Sequence, residues 1–346
     1  MSGATRSDNE RYSRQELFWG IGPEGQRRLQ ASRVVVVGCG ALGSASIDFL
    51  ARAGVGQLVV VDRDFVERSN LQRQLLFDEA DADAGSPKAV AAARAVSRIN
   101  SEVKVEPLVV DLVPGNVIRL LAGTDLVLDG TDNMETRYLI NDACVKLGIP
   151  WIYGGALGST GMSMTIIPGQ TPCFRCVFPD APPPGTMPTC ETAGVLVSVV
   201  AMVAAVQWTE AVKVLIGDHE HRNPGLVLLD PWSHDYERAR VAAPNPDCPC
   251  CGRGHFEYLD ARATARTTSL CGRNAIQVSP TEPRPLSLAE LARRLQAAGN
   301  VTANEYLVRL RVDGHELTVF ADGRAIIKGT SDETLARSLY ARYVGI

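Results

Sequence analysis

The 346-residue sequence has no excess of positive charge: 35 Lys and Arg stand against 39 Asp and Glu, for a net charge of −4. Without a broad basic field, nucleic acid is not expected as the main ligand. Residues 1–30 hold no apolar signal core, so secretion is not expected either. The longest apolar run, Val195 to Val206, falls short of the ~20 residues that a bilayer span needs. These absences lead to the expectation of a soluble cytoplasmic protein with no nucleic-acid or membrane partner. Internal repeats, low-complexity tracts and G-x-S-x-G, P-loop or H-E-x-x-H motifs are also missing. The histidines offer one close pair, His219 and His221, in a polar turn that reads as surface loop.

What is present describes a globular chain. Hydrophobic residues make up 45% of it, enough to bury a core. At roughly 150 residues per domain, the length points to one large and one smaller domain. β-Branched runs at Val34–Val37, Leu58–Val61, Val103–Val110 and Leu126–Leu128 alternate with helical patterns at Ser44–Ala53, Ser86–Ile99 and Met134–Leu147. Such alternation predicts a mostly parallel α/β sheet with right-handed crossovers. Ser86 suits a helix N-cap and Pro87 the first helical position. Trp151–Tyr153, Met162–Ile167 and Leu226–Leu229 read as further strands. A Pro-rich loop from Pro179 to Pro188 precedes a long apolar helix, Gly194 to Leu215, expected to be buried, with a subunit interface as one place for it.

After residue 262 the pattern changes. Ser287 and Glu290 make a capping box opening Leu288–Ala298, and Tyr306–Val312, Leu317–Phe320 and Ala325–Ile327 read as strands. Thr330 with Glu333 is expected to cap a final helix through Tyr343. The expected division is therefore 1–261 and 262–346, the second a small C-terminal α+β domain. Partner docking and simple structural support are both open for it.

Gly38-Cys39-Gly40-Ala41-Leu42-Gly43 follows a strand and opens a helix, which is G-x-G-x-x-G in its required context. Glycines let the backbone approach a phosphate, and the helix N-terminus presents free N–H groups. Asp62 ends the next strand, where a carboxylate can accept hydrogen bonds from ribose hydroxyls. These features alone keep a NAD-dependent oxidoreductase open. The polar and basic stretch from Asp64 to Gln74 suits a dehydrogenase poorly. Lys88, in the first turn of its helix, opposes the helix dipole unless an anion lies there. Asp132, in Asp129-Gly130-Thr131-Asp132-Asn133, falls at the carboxyl edge of the sheet. A triphosphate needs more cations than a dinucleotide pyrophosphate does. Arg73 and Lys88 can supply them, with Mg²⁺ on Asp132.

The sequence has nine cysteines. Cys173-Phe174-Arg175-Cys176 and Cys248-Pro249-Cys250-Cys251 make two CxxC pairs, the spacing of a tetrahedral structural zinc site. Cys173, Cys176, Cys248 and Cys251 are the expected ligands, with exchange of Cys250 for Cys251 left open. Neither pair opens a helix after a thioredoxin-like strand, which disfavours redox chemistry. Cys190 stands between the Pro-rich loop and the apolar helix. A helix N-terminus would favour its thiolate and the adjacent Glu191 would oppose it. Cys39, Cys144 and Cys271 read as small hydrophobes or spare thiols.

Arg11-Tyr12-Ser13-Arg14-Gln15, the glycine loop, Asp62, Ser69-Asn70-Leu71-Gln72-Arg73-Gln74, Gly85-Ser86-Pro87-Lys88-Ala89, Asp132-Asn133 and the two CxxC pairs together resemble the ThiF/MoeB (ThiF/HesA/MoeB) group of ubiquitin-activating-like adenylyltransferases. The resemblance covers roughly residues 10–252 and implies a Rossmann-like, doubly wound fold. It further implies that ATP activates the C-terminal Gly-Gly carboxylate of a ubiquitin-like sulfur-carrier protein as an acyl-AMP, releasing pyrophosphate. Thiamine, molybdopterin or a related sulfur-containing product would follow, with a sulfurtransferase as a further partner. A peptide-adenylating enzyme would keep the same ATP site. By matching motif, Arg14 is implied to reach into the partner subunit's site of a homodimer. Asp62 would hold the ribose, Asn70, Arg73 and Lys88 would surround the phosphates, and Asp132 would support Mg²⁺. Gly38, Gly40, Ala41, Gly43, Asp64, Ser69, Leu71, Gln72, Gln74 and Asn133 complete the implied nucleotide site. Ala41 departs from the pattern, standing where a third glycine is common. In relatives, a cysteine at the place of Cys190 forms a covalent link to the carrier or its thiocarboxylate; an inert thiol is the other reading.

Overall fold

The computed structural model describes residues 10–182, 188, 190–260, 267–270, 274–280 and 285–345. They fall into two compact units, one within Met1–Pro182 and Gly194–Ala261, the other within Pro183–Ala193 and Arg262–Ile346.

The first unit is built on an eight-stranded sheet. Its strands are β1 (Arg33–Val37), β2 (Gln57–Val61), β3 (Lys104–Leu108), β4 (Leu126–Asp129), β5 (Trp151–Leu157), β6 (Thr160–Ile166), β7 (Leu226–Asp230) and β8 (Asp235–Ala239). They lie in the order β3-β2-β1-β4-β5-β6-β7-β8. The first five are parallel, and β6 to β8 continue the sheet antiparallel. Successive side chains point to opposite faces. Val34, Val36, Leu58, Val60, Leu126 and Leu128 therefore join one core, with helices Ala41–Ala53 and Lys88–Ile99. Val35, Val37, Val59, Val61 and Val127 join another, with helices Pro114–Leu121 and Met134–Leu147. A sheet covered on both faces explains the uninterrupted valine run of β1. Strand order reverses between β1 and β4, and ligand crevices form at the carboxyl ends of such switch points.

The long apolar helix is Val197–Ile216, starting three residues after the Gly194 read from sequence and ending one after Leu215, and it is apolar enough to cross a membrane by length and composition. It is buried along one side only, through residues such as Val199, Val203, Gln207, Glu210 and Ala211, while Val197, Ser198, Ala205 and Thr209 are exposed. Buried Gln207 donates from Nε2 to the carbonyls of Asp129 (2.9 Å) and Ile152 (3.2 Å). Buried Glu210 accepts from Thr165 Oγ1 (3.2 Å) and the Asn223 amide (2.8 Å). Such groups are stable inside a protein because the fold supplies their partners.

The helix expected from Ser86 starts later, at Lys88, with Pro87 as its N-cap. Ser86 is committed elsewhere: its hydroxyl accepts from Arg94 Nη2 and its carbonyl from the Val66 amide. The third strand is shorter than Val103–Val110. Helices Gly22–Ala31 and Pro114–Leu121 and strand β8 were not expected from sequence.

The second unit has a six-stranded antiparallel sheet ordered β11-β12-β13-β14-β10-β9. Its strands are β9 (Thr267–Leu270), β10 (Ala275–Val278), β11 (Asn300–Ala303), β12 (Leu307–Val312), β13 (His315–Phe320) and β14 (Ala325–Lys328). Helices Leu288–Leu295 and Glu333–Tyr343 pack Leu291, Leu295, Leu339 and Tyr340 against Val308, Leu310, Leu317, Val319 and Ile327. Ser287 caps the first helix by accepting from the Glu290 amide, and that helix ends before Ala298. The cap of the last helix is Asp332, not Thr330. Its carboxylate accepts from the amides of Thr334 (2.7 Å) and Leu335 (3.3 Å), while Thr330 Oγ1 accepts from the Asp332 amide (3.0 Å). Asp332→Ala is expected to cost about 1 kcal/mol in urea unfolding, and Thr330→Ala less. An equal or larger loss in Thr330→Ala would return the cap to the threonine.

Candidate functional site

The glycine loop joins β1 to the Ala41–Ala53 helix at the switch point. Gly38 has φ +86°, a left-handed conformation, and a Cβ there would lie 2.7 Å from the Gly130 carbonyl oxygen. A Cβ on Gly43 would lie 1.9 Å from Gly38 O, and one on Gly130 2.6 Å from the same atom. These glycines are pressed backbone to backbone. Gly40 differs, since a Cβ on it would meet nothing nearer than Gly130 O at 4.0 Å. The chain leaves room at Gly40, as a phosphate nearing the helix N-terminus requires. Ala41 opens the helix with Gly40 as N-cap.

Asp62 is clamped beside this loop. Its Oδ2 accepts from the Cys39 amide (2.6 Å) and its Oδ1 from the Asp64 amide (2.7 Å). Burial pushes its carboxyl pKa up, and the Lys88 ammonium pulls it back. Lys88 Nζ lies 3.4 Å from Asp64 Oδ2, with the lysine side chain 4% exposed and Asp64 18%. The cation in the first helical turn thus has a counter-charge from the chain itself. Asn70, also buried, closes the turn at Arg68–Asn70 by accepting from the Glu67 amide (3.2 Å). Arg73 donates from Nη1 to the Ser69 carbonyl (3.0 Å), and no carboxylate among the described residues pairs with it. Gln74 is buried, with Oε1 lacking a hydrogen-bond partner among the described residues. Ser69 and Gln72 are exposed, and Leu71 packs on the first core.

Asp132 is exposed in the turn after β4. Asn133 Oδ1 is engaged as the N-cap of the Met134–Leu147 helix, accepting from the amides of Glu135 (2.9 Å) and Thr136 (3.4 Å). Arg14 is exposed in the short Ser13–Glu16 helix and has no hydrogen bond or ion pair with these residues. One pair escaped the sequence reading: buried Asp129 Oδ2 lies 3.0 Å from Arg137 Nε. Burial raises the Asp129 carboxyl pKa and Arg137 opposes the rise. An acid closing an all-apolar strand needs a buried counter-charge, and an arginine early in the next helix could have signalled it.

Cys173, Cys176, Cys248 and Cys251 place their sulfurs within 4.8 Å of one another. Individual separations are 3.8 Å (Cys173–Cys176), 3.6 Å (Cys173–Cys248) and 3.4 Å (Cys176–Cys251). Four thiolates about 2.3 Å from a tetrahedral zinc are about 3.8 Å apart, so the donor set fits that ion. Cys250 is buried beside Cys173 but is not one of the four, its Sγ accepting from Asn141 Nδ2 at 3.2 Å. Cys251, not Cys250, is the fourth sulfur of that group. A Cβ on Gly252 would lie 2.2 Å from Pro246 O, so the knuckle turn requires glycine. Cys39 and Cys144 are buried, and burial raises both thiols. Cys190 begins the short Cys190–Ala193 helix, but its side chain lies outside the described residues, as does Cys271.

A parallel-rich α/β sheet, an open glycine loop at its switch point and a clamped carboxylate on the neighbouring strand define a Rossmann-type nucleotide-binding protein. The chain belongs to the ThiF family, whose profile matches residues 12–250. It is 44% identical over 337 residues to the sulfur carrier protein ThiS adenylyltransferase of Bacillus subtilis, covering 97% of this chain and 99% of that one. It is 46% identical over 251 residues to the SAMP-activating enzyme E1 of Haloferax volcanii, covering 72% and 92%. A crystal structure of E. coli MccB with ATP shares the fold, with a TM-score of 0.62 at 22% identity over 71% of this chain and 75% of that one.

Proposed function

We propose that this chain is an ATP-dependent adenylyltransferase acting on the C-terminal glycine carboxylate of a ubiquitin-like sulfur carrier of the ThiS type. The observation that carries this reading is the similarity to the B. subtilis ThiS adenylyltransferase over nearly the whole length of both chains. In the reaction, a carboxylate oxygen of the carrier attacks the α-phosphorus of ATP. The bond to the bridging oxygen breaks, and pyrophosphate leaves with the electron pair. The attacking carboxylate is already ionised at pH 7, so no general base is needed. Catalysis reduces to alignment and to stabilising charge on the phosphates.

Asp62 would accept from the ribose hydroxyls, prearranged by its two amide donors. The open face at Gly40 would take a phosphate at the helix N-terminus. Arg73, with its guanidinium unpaired by carboxylate, would meet the departing pyrophosphate, and Lys88 and Asn70 would flank it. Asp132 would hold Mg²⁺, which when bound neutralises phosphate charge. Arg14, exposed and without an ion pair among the described residues, would complete the site of a second copy in a homodimer. Cys173, Cys176, Cys248 and Cys251 would hold structural zinc, leaving no coordination position for catalysis.

Incubation with ATP, Mg²⁺ and carriers ending in Gly-Gly should yield pyrophosphate and a carrier heavier by one adenylyl group, read by mass spectrometry. Absence of that adduct and of ATP–pyrophosphate exchange with every ThiS-type carrier would overturn the proposal.

A further inference from the structure

The Asp129–Arg137 pair lies beneath the turn that carries Asp132. Arg137 is tied to three segments at once. Its Nε donates to Asp129 Oδ2 at the end of β4 (3.0 Å), and its Nη2 donates to the Thr131 carbonyl in the turn (2.6 Å) and the Gly154 carbonyl on β5 (3.1 Å). The guanidinium also lies over the Tyr153 ring, 5.1 Å from its centroid. Asp129 Oδ1 in turn accepts from the Thr131 amide (2.9 Å) and hydroxyl (2.7 Å). Apolar packing can stabilise a fold as well as a buried ion pair does, so stability alone is a weak reason for such a pair.

The turn itself gives a stronger reason. The Asp132 carboxylate has no hydrogen bond or close ion pair with any described residue and feels the Arg137 charge only at longer range, so its position is set chiefly by the backbone beneath it. That backbone is held by Arg137 and Asp129, and Gly130 within it is pressed against Gly38 and Gly43 of the glycine loop. We infer that Arg137 is a positioning residue, fixing the 129–132 turn so that Asp132 is presented at a set distance from the phosphate loop. The inference rests on the proposed metal role of Asp132. Guanidinium geometry is what it requires: a lysine keeps the charge but cannot reach all three acceptors in one plane.

The test measures ATP–pyrophosphate exchange against Mg²⁺ concentration, with Mn²⁺ affinity read by electron paramagnetic resonance on protein holding a non-hydrolysable ATP analogue. Arg137→Lys and Arg137→Gln are expected to raise the Mg²⁺ needed for half-maximal exchange roughly 10-fold, with Mn²⁺ affinity falling in parallel. Thr131→Val, at a half-exposed position, should shift both the same way by a smaller factor, and it decides the matter if the Arg137 variants do not fold. Arg137→Lys or Thr131→Val with wild-type metal dependence would overturn the inference. So would tighter Mn²⁺ binding in Arg137→Gln, since that marks Arg137 as acting by charge alone. Asp132→Ala is the control. If it leaves metal affinity unchanged, the metal role of Asp132 fails and takes the inference with it. If it alone weakens metal binding, only the inference fails.

Discussion

Replacing Arg73 with alanine is expected to slow ATP–pyrophosphate exchange by a factor of about 10²–10³ while leaving the unfolding midpoint near that of the wild type. The size follows from the usual loss of ~3–4 kcal/mol when one donor to a developing oxyanion is removed. The preserved stability follows from the surroundings of Arg73. Its described contact is one bond to the Ser69 carbonyl, so truncation leaves no buried partner charge. Lys88→Ala should lose exchange to a similar degree yet also lower the midpoint, because Asp64 is left partly buried without its ammonium. Stopped exchange assays and circular dichroism melts separate the two behaviours. Near-normal exchange in both variants would remove the phosphate role assigned to these cations.

The second large effect concerns the thiolate cluster. Cys176→Ser is expected to abolish binding of one zinc per chain and to lower the thermal midpoint sharply. Structural zinc is worth on the order of 10 kcal/mol in apparent binding free energy, comparable with the ~5–15 kcal/mol that holds a typical domain together. The cluster sits within the second core, where Phe174 packs against Tyr138 (5.1 Å) and Tyr153 (5.1 Å). Loss of the metal should therefore loosen aromatic packing under the sheet as well as the knuckle. Cys250→Ser, outside the four-sulfur group, should retain the zinc. Metal analysis by mass spectrometry alongside the melts provides the check, and an unchanged zinc content in Cys176→Ser would refute the site.

Much of the nucleotide half was readable from the chain. Its valine-rich strands are buried on both faces and therefore look apolar throughout. Glycine spacing and the acid at the end of β2 carry their meaning locally. Strand β8 was not readable, because the Asp235–Ala239 segment is exposed along nearly its whole length and shows no apolar alternation. The Pro87 cap was missed because Ser86 is drawn into bonds with Val66 and Arg94, distant choices that a local capping rule does not contain. The same holds for Arg137, whose partners lie on a strand end, a turn and a second strand. The choice between Cys250 and Cys251 needed interatomic distances, since both fit a knuckle by spacing.

The contact between Cys173 and Cys248 joins positions 75 residues apart. Drawing together the ends of a flexible segment of that length costs about 4 kcal/mol in chain entropy. The apolar Val197–Ile216 helix lies between them and is synthesised before Cys248. During translation, then, the most membrane-like segment of the chain is complete before the second half of the cluster exists. A metal held by the four thiolates would meet the closure entropy once Cys248 and Cys251 arrive, late in the making of the first unit. Its supply would bear on how often a newborn chain reaches this topology, a matter of connectivity and timing separate from the chemistry at the glycine loop.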